Sequence, residues 1–481
     1  MLIVLLVLVV VTVRYYLSRP KGFPPGPLGL PIVGSLPYLD SSNAHLILSD
    51  WCRKYGNICG FFLASKPVVV VGSYDLMKDS LIKQGDVYAG RPKFGLFHKE
   101  VKNYGLIPND GDRWKSQRRF ALHTLRDFGV GKPLLERKIA EEATHVIEEL
   151  MATKGRPYDV QDLMNNAVSN VICSLVFGRR FDYTDTKFQK LLDYMNFTIS
   201  RDGVNITNYI NYFPWLGLVN PLGLKLFRMR RAIFSFLEEL IGEHKSEFDP
   251  GAEPTDYIHA FLRAKEEGMQ YTEDKQLLHS IQNLYVAGSE TTSTTLRWSL
   301  LYMIVNPDIQ EKVRQEISDL VGPGNCPSLS DRPKLPFTEA VMAETQRMAN
   351  LVPLSLPHRT KEDSVMGGYK IPANTIIIPL LWHVHKDNSI FPDAETFNPN
   401  RFLGTDGKFQ KTDTLIPFGI GKRSCLGESL AKMELFLLFT AMIQRFRFRN
   451  PPGQAPPDPK EYFAGITITP KPFKLIAEPI E

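Results

Sequence analysis

From Thr272 to Asn306 the chain runs without a proline, and apolar side chains recur at helical spacing. Leu277, Leu278, Ile281, Leu284 and Tyr285 open the pattern; Leu296, Trp298, Leu301 and Ile304 continue it. Pro307 closes it, because the residue before a proline avoids the helical region. A helix of this length spans a whole domain. It is too long for a surface element, so the rest of the chain has to be wrapped around it.

The flanking segments supply the wrapping. Helical periodicity covers residues 74–84, 112–120, 133–153, 160–177, 307–321, 335–350 and 430–446. Helices alternate with the irregular stretch 208–216 between Phe188 and Lys245. Residues 58–72 read as two strands around a Ser65-Lys66-Pro67 turn, residues 353–379 as a small sheet, and 466–473 as a last hairpin arm. Lys93 to Asp112 is a long loop, and long loops inside compact domains are usually functional. Phe391 to Lys411 meanders. Nothing repeats and no low-complexity linker divides the body. The expected fold is therefore one large, mainly α domain with a small β region, although 481 residues would suggest about three domains by length alone.

A hydrophobic content of 43% against 23% charged residues supports a large core. The net charge of +5 suits an anionic membrane surface or an acidic partner and is too weak for nucleic acid. Cys52, Cys59, Cys173, Cys326 and Cys425 are scattered without a CxxC, so neither a disulfide framework nor a zinc site is indicated, and a reducing compartment is the simpler reading. The sequons at Asn196 and Asn205 are read as chance triplets. Met1 to Leu17 is largely apolar but shorter than a full span. It fits a cleavable signal, a short anchor or a clipped one. Arg14, Arg19 and Lys21 favour keeping the C-terminal side of the segment in the cytosol. We expect an anchor over 1–17, a basic, proline-rich hinge over 18–30 and a catalytic body over 31–481.

Pro417 to Gly427 packs glycines, Lys422, Arg423 and Cys425 in front of an apolar helical run. Such a loop exposes backbone amides, and the helix turns its positive end toward it. Cys425 is either an anionic sulfur ligand held there or an inert thiol. In the long helix, Ala287-Gly288-Ser289-Glu290-Thr291-Thr292 lets Thr291 bond back to the Ala287 carbonyl. Gly288 either admits a flat ligand or is a packing glycine, and Glu290 offers a carboxylate for proton supply. Glu344 and Arg347 share one helix face, as a surface bridge would. Trp114 and Arg118 lie one turn apart, in an amphipathic basic helix or as two donors to one anion.

Taken in order, these motifs resemble the cytochrome P-450 haem-thiolate monooxygenases over essentially the whole chain. They are Trp-x-x-x-Arg (Trp114, Arg118), Ala-Gly-x-Glu-Thr-Thr (Ala287 to Thr292), Glu-x-x-Arg (Glu344, Arg347), Phe397-Asn-Pro-Asn-Arg401-Phe402 and Phe-x-x-Gly-x-Arg-x-Cys-x-Gly (Phe418 to Gly427). Arg113-Trp114-Lys115, Thr124 to Phe128, Pro357-His358 and Gly427 to Phe436 are similar to the microsomal family 2 group, and the C-terminal third is most similar to its subfamily U. Asn400 departs from the charged or His residue many relatives carry.

The resemblance implies roles. Cys425 is the expected metal ligand, the axial thiolate of haem b iron, and pushes electron density that favours O–O cleavage. Gly419 and Gly427 let amides reach the sulfur, and Phe418 shields it. Trp114, Arg118, His358 and Arg423 hold the propionates. Glu344, Arg347 and Arg401 form a structural charge cluster. Thr291 and Glu290 deliver protons in oxygen activation. Phe94, Phe97, Tyr104, Ala287, Val352 and Leu354, with 205–213, are the expected substrate wall.

No flavin or nicotinamide fingerprint is present, so electrons come from outside, from an NADPH-dependent flavoprotein reductase and, as a further donor, cytochrome b5. Lys115, Arg119, Arg126, Lys132, Lys138, Lys422 and Lys432 are the expected docking face, scattered surface charge being the alternative. The implied function is O2-dependent hydroxylation of a lipophilic small molecule, first a long-chain fatty acid, then a steroid or xenobiotic. The implied location is the endoplasmic reticulum membrane, cytosolic face, with the mitochondrial membrane as alternative. A haem-thiolate isomerase or dehydratase that does not use O2, and a non-enzymatic haem sensor, are the other classes.

Overall fold

The computed structural model describes residues 19–93, 103–129, 133–212, 216–322 and 325–480. The longer helices are α1 Ala44–Tyr55, α2 Gly111–Asp127, α3 Pro133–Ala152, α4 Gln161–Val176, α5 Thr186–Ile199, α6 Arg201–Tyr212, α7 Pro221–Glu247, α8 Tyr257–Glu266, α9 Asp274–Val305, α10 Pro307–Val321, α11 Pro336–Ala349 and α12 Glu428–Arg445. Helix α9 is the expected core-crossing element. Its second half, Leu296 to Ile304, is buried on every face, and it packs on α4, α11 and α12. Such a helix is held by tertiary packing more than by its own propensity. Pro307 ends it and opens α10, where its missing N–H costs nothing.

The strands are β1 Ile58–Leu63, β2 Lys66–Val71, β3 His358–Arg359, β4 Ser364–Met366, β5 Tyr369–Ile371, β6 Ile376–Pro379, β7 Phe446–Arg449, β8 Tyr462–Ala464, β9 Ile468–Pro470 and β10 Ile476–Pro479. The main sheet runs β1-β2-β6-β3, with β2 and β6 parallel. Val68 and Val70 pack on one side of it and Val69 and Val71 on the other, which is why this strand is an unbroken apolar run. Leu63 pairs with Lys66, so the turn is Ala64-Ser65 and Lys66 and Pro67 belong to the strand. This corrects the expected turn by one residue; Ala64 takes the left-handed conformation it needs, φ 49°.

Other boundaries move as well. Helix α2 runs on to Asp127, because Ala121, Thr124 and Leu125 continue its buried stripe. Residues 208–212, expected to be irregular, belong to α6. The segment 74–84 is helical but widens into a π-type turn over Lys78–Lys83. Residues 19–30 do not behave as a free hinge: Phe23 is buried, and the Gly60 amide donates to the Pro25 carbonyl at 2.8 Å. The expected anchor, 1–17, lies outside the described residues. Among the described residues no helix is long and apolar enough to cross a membrane.

Candidate active site

A cavity opens between α9 and the loop that precedes α12. Ala287, Gly288, Thr291 and Thr292 line it on one side, and residues 417–420 and 423–427 on the other. The loop is held by its own backbone. The Cys425 amide donates to the Phe418 carbonyl at 2.9 Å, and the Gly427 amide bonds the Cys425 sulfur. The Gly419 amide instead donates to the Ile416 carbonyl at 3.0 Å. Gly419, at φ 68°, shapes the turn, and the Gly427 amide is the backbone donor to the sulfur. Gly421 is fixed more tightly still, since a Cβ there would meet the Leu81 carbonyl oxygen at 2.1 Å.

Cys425 lies deep in the protein, yet its side chain is accessible, and it lines the cavity. Burial pushes its thiol above the ordinary value; the Gly427 amide and Arg118 oppose this, and Glu428 adds to it. A metal bound at the sulfur would supply the positive charge that a desolvated thiolate lacks.

One edge of the cavity is cationic. Arg423 donates to the carbonyls of Ala89 and Asn109 at 2.8 and 2.6 Å and lies 3.6 Å over the Trp114 ring. Arg118 donates to the Ser424 carbonyl at 2.7 Å. The edge holds a third guanidinium that sequence reasoning missed. Arg91 donates to the carbonyls of Leu356 and Pro357 at 2.7 and 2.8 Å and lines the same wall. Its Gly90-Arg91-Pro92 setting looks like any loop entry, so no local signal marked it. Burial, then mutual repulsion, draws Arg423 down to about 8 and Arg91 to about 10. His358, with Nδ1 at 3.0 Å from the Tyr88 carbonyl, is drawn down to about 3 by burial and by Arg91. Crowded, desolvated cations of this kind call for an anionic occupant. An apolar slot with a sulfur on one wall and an anion-seeking edge fits haem: Cys425 would hold its iron, and Trp114, Arg118, His358, Arg423 and Arg91 would hold its propionates.

Behind this wall, Glu344 accepts two bonds from Arg347, at 2.7 and 2.8 Å, and one from Arg401 at 3.1 Å. It also accepts the Asn398 amide at 2.8 Å. Glu344 and Arg347 are fully buried, so the surface-bridge reading does not hold. Arg347 further donates to the carbonyls of His385 and Ala394, both at 2.8 Å, and so ties α11 to the meander before the cysteine loop.

On α9, the Thr291 hydroxyl donates to the Ala287 carbonyl at 2.7 Å, as expected. A Cβ on Gly288 would meet the Ile172 Cδ1 of α4 at 2.5 Å, so the glycine lets α9 and α4 approach closely, and it also lines the cavity. Glu290 turns away from the cavity. It accepts from Thr294 and Thr467 at 3.1 and 2.8 Å, and burial raises it to about 7. Glu434 of α12 was also missed. It lines the cavity, is 1% exposed, and burial holds it well above the ordinary carboxyl value. It sits inside a dense apolar run, which hid it.

The substrate expectations divide. Ala287 and Val352 line the cavity. Tyr104 instead stacks on His279 at 6.0 Å and receives Arg113 over its ring, and Leu354 packs against the sheet cluster. Asn205 bonds Asp40 at 2.9 Å, and Ile206 and Ile210 join a separate cluster with Leu226. Phe94 and Phe97 lie outside the described residues. Of the expected docking cations, Arg119 and Arg126 are exposed. Lys422 is paired with Asp86, Lys432 with Glu428 and Lys115 with Asp112. Lys138 donates inward to the Ser174 carbonyl, and Lys132 lies outside the described residues.

Residues 24–477 match the sequence profile of the family Cytochrome P450. The chain is 39% identical to cytochrome P450 2U1 of Rattus norvegicus over 95% of its own length and 91% of the relative's. It is 40% identical to cytochrome P450 2J2 of Homo sapiens, over 96% and 92%, and 40% identical to cytochrome P450 2J1 of Oryctolagus cuniculus, over 97% and 93%. A cysteine facing a slot with a cationic edge is thus matched by kinship along the whole chain, which belongs to the cytochrome P450 family, in its microsomal family 2 group, and is a haem-thiolate monooxygenase.

Proposed function

We propose that this monooxygenase hydroxylates a long-chain fatty acid. The observation that carries the reading is the wall opposite Cys425, where Leu106, Ile107, Ile172, Val176, Leu284 and Ala287 enclose an apolar space beside the Thr291 hydroxyl. Similarity to subfamily U in the C-terminal third points the same way. The lining cations Arg91, Arg118 and Arg423 all belong to the propionate edge, so affinity comes from the hydrocarbon chain.

Haem bound at Cys425 supplies the activation of O2. The protein's own part is to hold and protect. The Gly427 amide bonds the sulfur, and Phe418 lines the slot and accepts the Cys425 amide on its carbonyl. The apolar wall excludes water and sets which carbon faces the metal side. Thr291 holds a hydroxyl at the cavity surface, and Glu290, poised near neutrality behind the helix, is the proton source that recharges it. Reducing equivalents come from a partner, and we assign that role to an NADPH-dependent flavoprotein reductase docking at Arg119 and Arg126 on α2, with cytochrome b5 as a second donor. The setting is the cytosolic face of the endoplasmic reticulum membrane, with residues 1–17 as the anchor.

The test is a series of saturated fatty acids, with a steroid and a drug panel beside it, read by haem spectral shift and by reductase-supported turnover. Affinity should rise with chain length by up to about fourfold per methylene, and the methyl esters should bind as well as the acids. Shifts and products from steroids or drugs alone would overturn the substrate assignment and leave the monooxygenase reading standing.

A further inference from the structure

Far from the cysteine loop, the end of α7 and the start of α8 bring His244, Asp256 and His259 together, their ligating atoms all within 4.8 Å of one another. Each atom is oriented by something else. His244 Nδ1 lies 2.7 Å from the Leu240 carbonyl, which fixes the proton on Nδ1 and leaves the Nε2 lone pair free. Asp256 caps α8 by accepting the His259 amide on Oδ1 at 2.9 Å. That leaves Oδ2 facing both rings, 3.5 Å from His244 Nε2 and 2.8 Å from His259 Nδ1. The Thr255 hydroxyl reaches the same Oδ2 and His259 Nδ1, at 2.9 and 2.8 Å. Asp256 is buried at 1% exposure, while the His259 side chain keeps 23%, so the cluster is closed beneath and open above.

We propose that His244, Asp256 and His259 form a zinc site that staples α7 to α8. Two imidazoles and one carboxylate are a zinc donor set, with the fourth position open to water. The carbonyl-oriented imidazole and the amide-bonded carboxylate are the outer contacts such ligands use. Lys138 and Arg179 lie nearby. The first is engaged by the Ser174 carbonyl at 3.1 Å and the second by Glu243 at 3.1 Å, so neither competes for the ligands. No cysteine takes part, and the ligands are separated in the chain by an exposed loop, so cysteine spacing gave no sign of it.

The experiment uses the full haem-loaded chain, without an affinity tag and with Cys326→Ser to remove the exposed thiol. After chelator treatment it is titrated with zinc chloride and read by calorimetry and bound-metal content. One zinc per chain is expected. His259→Ala and His244→Gln should each weaken binding by at least about tenfold, while His123→Ala, on the exposed face of α2, should leave it unchanged. Zinc should also slow proteolytic cleavage within 248–253 in the parent and not in His259→Ala. The haem spectrum verifies that each variant is folded. Absence of a stoichiometric zinc, or binding undisturbed in both ligand variants, overturns the proposal.

Discussion

The two walls of the cavity are built on opposite plans. On the Cys425 side, a run of eleven residues makes its own hydrogen bonds, from Cys425 to Phe418, from Gly427 to the sulfur, and from Gly419 to Ile416. It is buttressed by the buried Glu344–Arg347–Arg401 cluster. Opposite it, the wall is assembled from side chains far apart in sequence, Leu106, Ile172, Leu284 and Val352, with packing as its main interaction. The first wall tolerates little change because polar groups out of water need fixed partners. The second tolerates apolar exchange, because packing depends on volume more than on identity.

That contrast can be broken by mutation. The largest effect is expected from Glu344→Ala, which leaves Arg347 buried without a counter-charge. It should cost about 3–5 kcal/mol, seen as loss of folded haem protein or a lowered denaturant midpoint, whereas Ala287→Val opposite should alter ligand shifts with little change in stability. Next comes a pH effect. Glu290 is raised to about 7 from an ordinary 4.5, so between those values the unfolded chain has released a proton that the folded one keeps. Stability should therefore fall as pH rises from about 4.5 to about 7, by ~3 kcal/mol in all, and level off above. Glu290→Gln should remove that slope in denaturation series.

Within the loop itself, Gly421→Ala should cost about 2–3 kcal/mol, since it combines a left-handed φ with a clash on Leu81. Gly427→Ala, with nothing within 4 Å of the new methyl, loses only the preference for glycine over alanine at the start of α12 and should cost about 0.5–1 kcal/mol. Equal costs for the two would refute the loop's backbone logic. Thr291→Ala should cost only about 1 kcal/mol in stability, for one hydrogen bond. Its effect should appear instead as reductant consumed without product, with product formation reduced by up to about a hundredfold. Unchanged coupling would take Thr291 out of proton delivery.

The same contrast explains what was legible in sequence. Helix α9 could be read because one uninterrupted apolar period dictates it; the glycine loop alone left Cys425 open as an inert thiol, and only its place in an ordered series of motifs that resembles the family marked it as a ligand. The Glu344–Arg347 pair could be located, but its burial could not, since that depends on Arg401, Asn398 and carbonyls more than thirty residues away. Arg91 and Glu434 escaped because each comes to line the cavity only where distant segments meet. Tyr104 and Leu354 pack against His279, Arg113 and the sheet cluster, a difference that sequence does not carry, because an aromatic or a leucine looks alike in a core and in a cavity wall. Gly288 carried two readings, and both have an observation behind them: Ile172 of α4 packs against it, and it lines the cavity.

The central claim is that Cys425 is the iron's thiolate ligand. It is tested most directly by the spectrum of the reduced carbon monoxide complex of the parent protein and of Cys425→Ser. The account predicts a thiolate-type Soret band in the parent and its disappearance in the variant. A thiolate-type band that persists in Cys425→Ser would contradict it.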